Sequence, residues 1–190
     1  MRARAQIAEQ TRSRILACAR QALLEMPFDK VTLPLVAAAA EVTVQTVRNH
    51  FQSKEGLLRA LADMLSESLR DERGSTPVDA AGAAAALASQ YEHYGRAYAG
   101  LVAAAENSLA LAAMIDRGRR EHMMWLEQSF ARHLPPDGSR RERALAALYA
   151  ATDVGTWRLI RIDLGNDAET TVDAMTVLID GAIAFADASG

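Results

Sequence analysis

The stretch EVTVQTVRNHFQSKEGLL, Glu41 to Leu58, decides how the chain folds. Thr43 can cap a short helix from Val44 to Phe51, and Ser53 can cap another that opens at Lys54 or Glu55. The short helix has two sides when its residues are sorted by helical phase. Val47 and Phe51, an i, i+4 pair, are apolar and anchor it, with Val42 just ahead of them. Val44, Gln45, Arg48 and Asn49 share a second face, and Thr46 and His50 form a flanking i, i+4 pair. So many kinds of side chain on so short a helix fit a surface that reads something.

Upstream, a helix is expected from Thr11 to Met26, with Ile15, Leu16, Ala19, Leu23 and Leu24 on one face and Pro27 ending it. Thr32 then caps a second helix. Pro34 sits in its first turn, where it costs no intrahelical hydrogen bond, and the helix reaches about Ala40. Two short helices joined by a tight turn have the dimensions of a helix-turn-helix. In a major groove Gln45 can contact adenine in bidentate fashion, Arg48 can pair with guanine or a phosphate, and Val44 can pack on a thymine methyl. Thr46, His50 and Lys54 are suited to the phosphate backbone, together with amides at the helix N-terminus that Thr43 caps. A solvated helix in an ordinary bundle is the competing reading of the same pattern.

Charge is divided along the chain in the same sense. Residues 1–54 carry eight lysines and arginines against four acids, whereas the remainder carries 13 against 20, for a net of −3. A basic head on an acidic body is what a DNA-reading module joined to a sensing or dimerising module would need. Half of the 190 residues are hydrophobic, enough to bury one or two cores. One cysteine, Cys18, permits no intrachain disulfide, and no apolar run or signal-peptide pattern stands out. A cytoplasmic, non-membrane protein is therefore expected.

Alanine, leucine and arginine dominate, β-branched runs are scarce, and the chain reads as all-α: a three-helix helix-turn-helix domain, then a helical effector-binding and dimerisation domain. The expected division is 1–54, with an N-terminal arm at Arg2 and Arg4, and 55–190. The fourth helix, with Leu57, Leu58, Leu61, Leu65 and Leu69, lasts to a break at Arg73–Pro77. Further helices are expected at about 77–98, 101–113, 116–134, 139–164 and 168–187.

The residues from Thr11 to Leu65, above all "FDKVTLPLVAAAAEVTVQTVRNHFQSKEGLL", resemble the DNA-binding region of the tetracycline-repressor-type (TetR) family of bacterial transcription regulators. The resemblance places the recognition helix at Thr43–Phe51, a phosphate-contacting threonine at Thr46 and the lysine opening helix four at Lys54. It implies a double-stranded DNA operator, a small-molecule effector, a homodimer and repression as the mode of regulation. This chain departs from the family pattern at Glu41, where glycine is usual in the turn. Arg48 stands for a tyrosine and Val44-Gln45 for Lys-Gly, so operator preference is its own.

The acidic body is less specific. "HYG" (93–95), "DRGRREHMMWLEQSF" (116–130) and "ATDVGTWRLIRIDLG" (151–165) resemble the C-terminal half of one group of TetR-type regulators, in which the last two long helices pair with their copies. Ala144, Ala147, Ala151 and Gly155 form a small-residue line, and Leu178, Ile179, Ala182, Ile183 and Ala186 an apolar stripe. Both also fit a monomer core. Two reading helices related by a two-fold axis would require a palindromic operator. Leu87, Tyr91, Tyr94 and Tyr98 recur at helical spacing, as do His122, Trp125 and Ser129 with Met123 alongside. With Trp157 they describe an adaptable small-molecule cavity, or equally a packed core; Tyr91, Tyr94, His122, Met123, Trp125 and Trp157 are the candidate ligand contacts.

His93, His122 and His133 lack the i, i+3 or i+4 spacing of a metal site, and no metal or cofactor is expected. Gly-rich phosphate loops, a Gly-x-Ser-x-Gly elbow and His-Glu-x-x-His are absent from the sequence, which argues against an enzyme. The remaining alternative is a helical dimeric interaction module without specific DNA binding.

Overall fold

A computed structural model describes residues 2–26, 28–73, 79–106 and 108–188. The elements are α1 (Arg2–Glu25), a 3-10 turn (Phe28–Lys30), α2 (Leu33–Ala39), α3 (Val44–Phe51), α4 (Lys54–Arg73), α5 (Ala80–Ala105), α6 (Leu109–Ser129), α7 (Gly138–Thr152), α8 (Val154–Arg158), a π-helical turn (Leu159–Asp163) and α9 (Ala168–Asp187). Among the described residues there is no strand, so the fold is all-α, with an N-terminal helix-turn-helix domain and a C-terminal helical domain. No described helix is long and apolar enough to cross a membrane.

The chain gathers into two compact units, one of Met1–Asp71 with Gly100–Ile115 and one of Glu72–Ala99 with Asp116–Gly190. In the first, Ile15, Leu16, Ala19 and Leu23 of α1, Val36 and Ala37 of α2, Val47 and Phe51 of α3, and Leu57, Leu58 and Leu61 of α4 are buried. Leu24, expected on the same face, is 37% exposed. Adjacent residues on a helix diverge by about 100°, and Leu23 takes the inward position. Pro27, the Gly74–Pro77 part of the expected break, and the side chains of Leu65 and Leu69 lie outside the described residues.

In the second unit α7 packs along α9. The core there is built from Leu87 and Tyr91, Leu126 and Phe130, Ala144, Leu148 and Ala151, Trp157, and Met175, Ile179, Ala182 and Ala186.

Four boundaries differ from the sequence expectation. The helix α1 begins at Arg2 rather than Thr11, because Arg4 to Gln10 contains neither glycine nor proline and continues the helix on an exposed surface. The break expected near Gly100 is absent, since a single glycine costs an alanine-rich helix only about 1 kcal/mol; α5 instead runs to Ala105. Likewise α6 passes uninterrupted through 114–115. The helix expected over 139–164 is broken at Asp153, whose backbone is extended (φ −72, ψ 147) and whose carboxylate accepts from the Gly155 N–H at 2.7 Å, starting α8 anew.

Candidate nucleic-acid interface

The turn that presents α3 is made by the end of α2. The Val42 N–H donates to Ala37 O (3.0 Å) and the Glu41 N–H to Ala38 O (3.2 Å), the paired reversed bonds of a Schellman ending around Ala40. That ending requires a left-handed residue at Glu41, and Glu41 adopts φ 52 although it is not glycine. Arg14 of α1 donates from Nε to the Ala40 carbonyl at 3.0 Å, which ties the turn to the first helix.

The next helix, α3, opens on Thr43, whose hydroxyl accepts from the Thr46 N–H at 3.0 Å. The two threonine hydroxyls also share a hydrogen bond of 2.9 Å. That link uses one of their two hydroxyl protons and leaves the other for an outside acceptor such as a phosphate oxygen. Val47 and Phe51 point into the unit at 0% and 5% exposure. Gln45, Arg48 and Asn49 are exposed, with Val44, Thr46 and His50 half-buried beside them. Gln45 Nε2 donates to Asn49 Oδ1 at 2.9 Å. Arg48 and His50 lie in the last turn, where the positive charge of Arg48 suits the helix dipole.

After α3 the backbone reverses through Gln52 (φ 66, ψ −54), with the Ser53 N–H donating to Phe51 O at 2.8 Å. Ser53 then caps α4 through the Gly56 N–H at 3.1 Å. A side chain at position 56 would collide with the Phe51 carbonyl, so glycine is what lets α4 start against the end of α3. Neither this approach nor the Arg14 link is apparent from helical spacing, because both depend on backbone carbonyls meeting in three dimensions.

Lys54 is placed differently from the other basic residues. Its Nζ donates to the Phe28 carbonyl at 2.8 Å and sits 4.0 Å from the Phe28 ring centroid. Burial lowers its pKa from the ordinary lysine value, against the opposing charges of Asp29 and Glu55. The described side chain thus staples the 3-10 turn to the start of α4.

The residues expected around an effector come together only in part. Tyr91 Oη donates to the Thr152 carbonyl at 2.8 Å, and His122 Nε2 lies 2.8 Å from Thr152 Oγ1, all of them buried. Thr152 Oγ1 donates to Leu148 O at 2.7 Å, so the histidine is the donor to it. His122 stacks on Trp125 (centroids 5.6 Å apart) and meets Tyr149 edge-on at 5.1 Å. Trp157 lies 5.9 Å from Tyr91, with its ring edge against Gly95. Its Nε1 is buried without a hydrogen-bond partner among the described residues. Met123 and Tyr94 are half-buried, the latter beside His93. Thr152, the hub of the cluster, carries no signal in the sequence, where it is one threonine inside a segment that reads as a continuous helix.

The small-residue line and apolar stripe divide between inside and outside. Ala144, Ala151, Ile179, Ala182 and Ala186 are buried within the chain's own core, whereas Leu178 of the stripe is 46% exposed and Phe185, which the stripe did not include, is 42% exposed. An open groove runs along α7 and α9, lined by Ala147, Ala150, Thr156, Leu178, Gly181 and Phe185 among others.

Residues 15–61 match the family model described as bacterial regulatory proteins, tetR family. No curated protein matches the chain in sequence. Among solved structures, a tetR-family transcriptional regulator from Streptomyces coelicolor aligns with TM-score 0.70 at 16% identity, over 93% of this chain and 82% of that one. NalD, the secondary repressor of the MexAB-OprM multidrug efflux pump in Pseudomonas aeruginosa, aligns with TM-score 0.65 at 24% identity, over 92% and 97%. A protein from Rhodococcus sp. assigned to the TetR family of regulators aligns with TM-score 0.71 at 16% identity, over 92% and 99%. The chain thus matches the tetR-family model over its helix-turn-helix region, residues 15–61, and is TetR-like in its overall fold.

Proposed function

We propose that the protein is a sequence-specific, double-stranded-DNA-binding transcriptional regulator and not an enzyme, with Thr43, Val44, Gln45, Thr46, Arg48, Asn49 and His50 as its DNA surface. The observation that carries this reading is α3 itself: two apolar residues are buried beneath an exposed set of amide, guanidinium and hydroxyl groups, on a helix fixed by the turn at Glu41 and the cap at Thr43. Gln45 and Arg48 read bases, and Thr43, Thr46 and His50 hold phosphates. Lys54 serves this surface by holding the start of α4, and releases its carbonyl partner if it is to reach a phosphate.

Dimerisation through the open α7–α9 groove completes the reading. Leu178 and Phe185 expose apolar surface beside small residues that admit a close neighbour, and a second copy would cover it. A two-fold dimer reads a palindromic operator with half-sites on the order of 34–36 Å apart, or a multiple of that spacing. Function then divides at about residues 54 and 55, with the head reading DNA and the body sensing and dimerising.

Repression is the mode of action we infer, by analogy with the repressor NalD, and we infer its relief by a small molecule bound in the C-terminal unit. Tyr91, His122, Trp125 and Trp157, flanked by Tyr94 and Met123, are the effector contacts. The buried Trp157 Nε1–H would donate to an acceptor on that molecule. A coupling of about 1–3 kcal/mol would change operator affinity some 5- to 150-fold.

The test is binding of the purified protein to DNA upstream of its own gene, against scrambled competitor, at two salt concentrations. Specific binding that survives the higher salt supports the regulator. Equal binding to scrambled DNA that vanishes with salt leaves the helical interaction module as the better description.

A further inference from the structure

We propose that Asn49 sets the base preference of the protein by holding the Gln45 carboxamide in one orientation, making Asn49 a positioning residue and the Gln45–Asn49 pair a device that favours adenine over guanine. The inference rests on α3 being the DNA-reading helix.

A glutamine side chain has one carbonyl oxygen and two N–H groups. On the surface of α3 one of the Gln45 N–H groups is committed to Asn49 Oδ1, at 2.9 Å. Both residues are exposed and one helical turn apart, so the pair lies along the face that would enter a groove. What Gln45 still offers is its carbonyl oxygen as an acceptor and its second N–H as a donor.

The adenine edge in the major groove presents an N7 acceptor and an N6 amino donor, which is the complement of that offer. The guanine edge presents two acceptors, N7 and O6. An unrestrained glutamine can turn both of its N–H groups toward a guanine. Gln45 held by Asn49 cannot, because one N–H is already used and the carbonyl oxygen would face O6. Asn49 therefore removes an alternative hydrogen-bonding mode and adds specificity without itself touching the base.

The experiment uses the full-length protein and duplexes recovered by selection from a randomised pool, with every base pair of a half-site then varied singly. Equilibrium binding is followed by fluorescence anisotropy for the wild type, Gln45→Ala, Asn49→Ala and Asn49→Asp. We expect a preference for adenine over guanine of about 10-fold in the wild type, within the range of one bidentate contact. It should fall to about 2-fold in both alanine variants, at the same base pair. Asn49→Asp keeps an oxygen acceptor for Gln45, so it should retain the preference while binding all duplexes more weakly through its added negative charge. Asn49→Ala keeping the adenine preference, or flattening a different base pair from Gln45→Ala, would overturn the inference and leave the DNA-reading role of α3 standing. A wild type that discriminates at no base pair would overturn the reading of α3 itself, and this inference with it.

Discussion

The carbonyl oxygen of Phe51 occupies the space in which a β-carbon on Gly56 would stand. This contact sets the last turn of α3 against the first turn of α4. Gly56→Ala gains helix propensity of about 1 kcal/mol but must push a backbone carbonyl aside. The clash should win, with a net loss of about 1–3 kcal/mol, the range for overpacked sites. Thermal denaturation followed by circular dichroism should show a lower midpoint. An unchanged or higher midpoint would mean that the two helices are not in contact there.

Glu41 takes a left-handed backbone conformation (φ 52) that disfavours a residue with a β-carbon. The penalty is about 1–2 kcal/mol, partly offset by the larger unfolded-state entropy of glycine. Glu41→Gly should stabilise the protein by up to about 1 kcal/mol without altering operator affinity by more than the loss of one exposed negative charge implies. Denaturant unfolding measures the first, and a binding isotherm the second.

Thr152 joins Tyr91 and His122 inside the C-terminal unit. Thr152→Val conserves shape and removes the hydroxyl, leaving the His122 N–H buried without that acceptor. A cost of about 1–3 kcal/mol is expected, and His122→Phe in the Thr152→Val background should recover part of it. Additive losses in the double variant would show that the two side chains do not interact.

The carboxylate of Asp167 caps α9 through the Thr170 N–H at 2.8 Å. Hydrogen bonds from Thr170 hold its pKa below the ordinary value of 3.8. A lowered pKa in the folded state means that the cap contributes fully above pH 3.8 and that its contribution is lost as the pH falls through the folded value. Asp167→Asn should therefore lower the melting temperature at pH 7. The gap to the wild type should narrow as both are taken below pH 3.8, and a pH-independent gap would contradict the assignment.

The helix-turn-helix was readable from sequence because its signals are local. Thr32, Thr43 and Ser53 cap the helices they were expected to cap, and the Val47–Phe51 spacing gave the buried side of α3. The body was less readable. Alanine-rich sequence carries weak stop signals, so the end of α5 and the start of α6 came out elsewhere than Gly100 and the 113–116 region indicated. The break at Asp153 depends on one side-chain cap inside an otherwise helical pattern. The roles of Gly56 and Arg14 depend on carbonyls distant in the helical pattern, and Lys54 has the sequence look of a phosphate contact while its amine rests on Phe28.

Whether exposed side chains of α3 read base edges is measured by the ratio of affinities for a selected duplex and a random one, for the wild type and Arg48→Ala, across a salt series. If they do, the wild-type ratio is about 1,000 or more and drops roughly tenfold in Arg48→Ala. A wild-type ratio near one, or a ratio that Arg48→Ala leaves unchanged while binding to both duplexes weakens equally, would show that they do not.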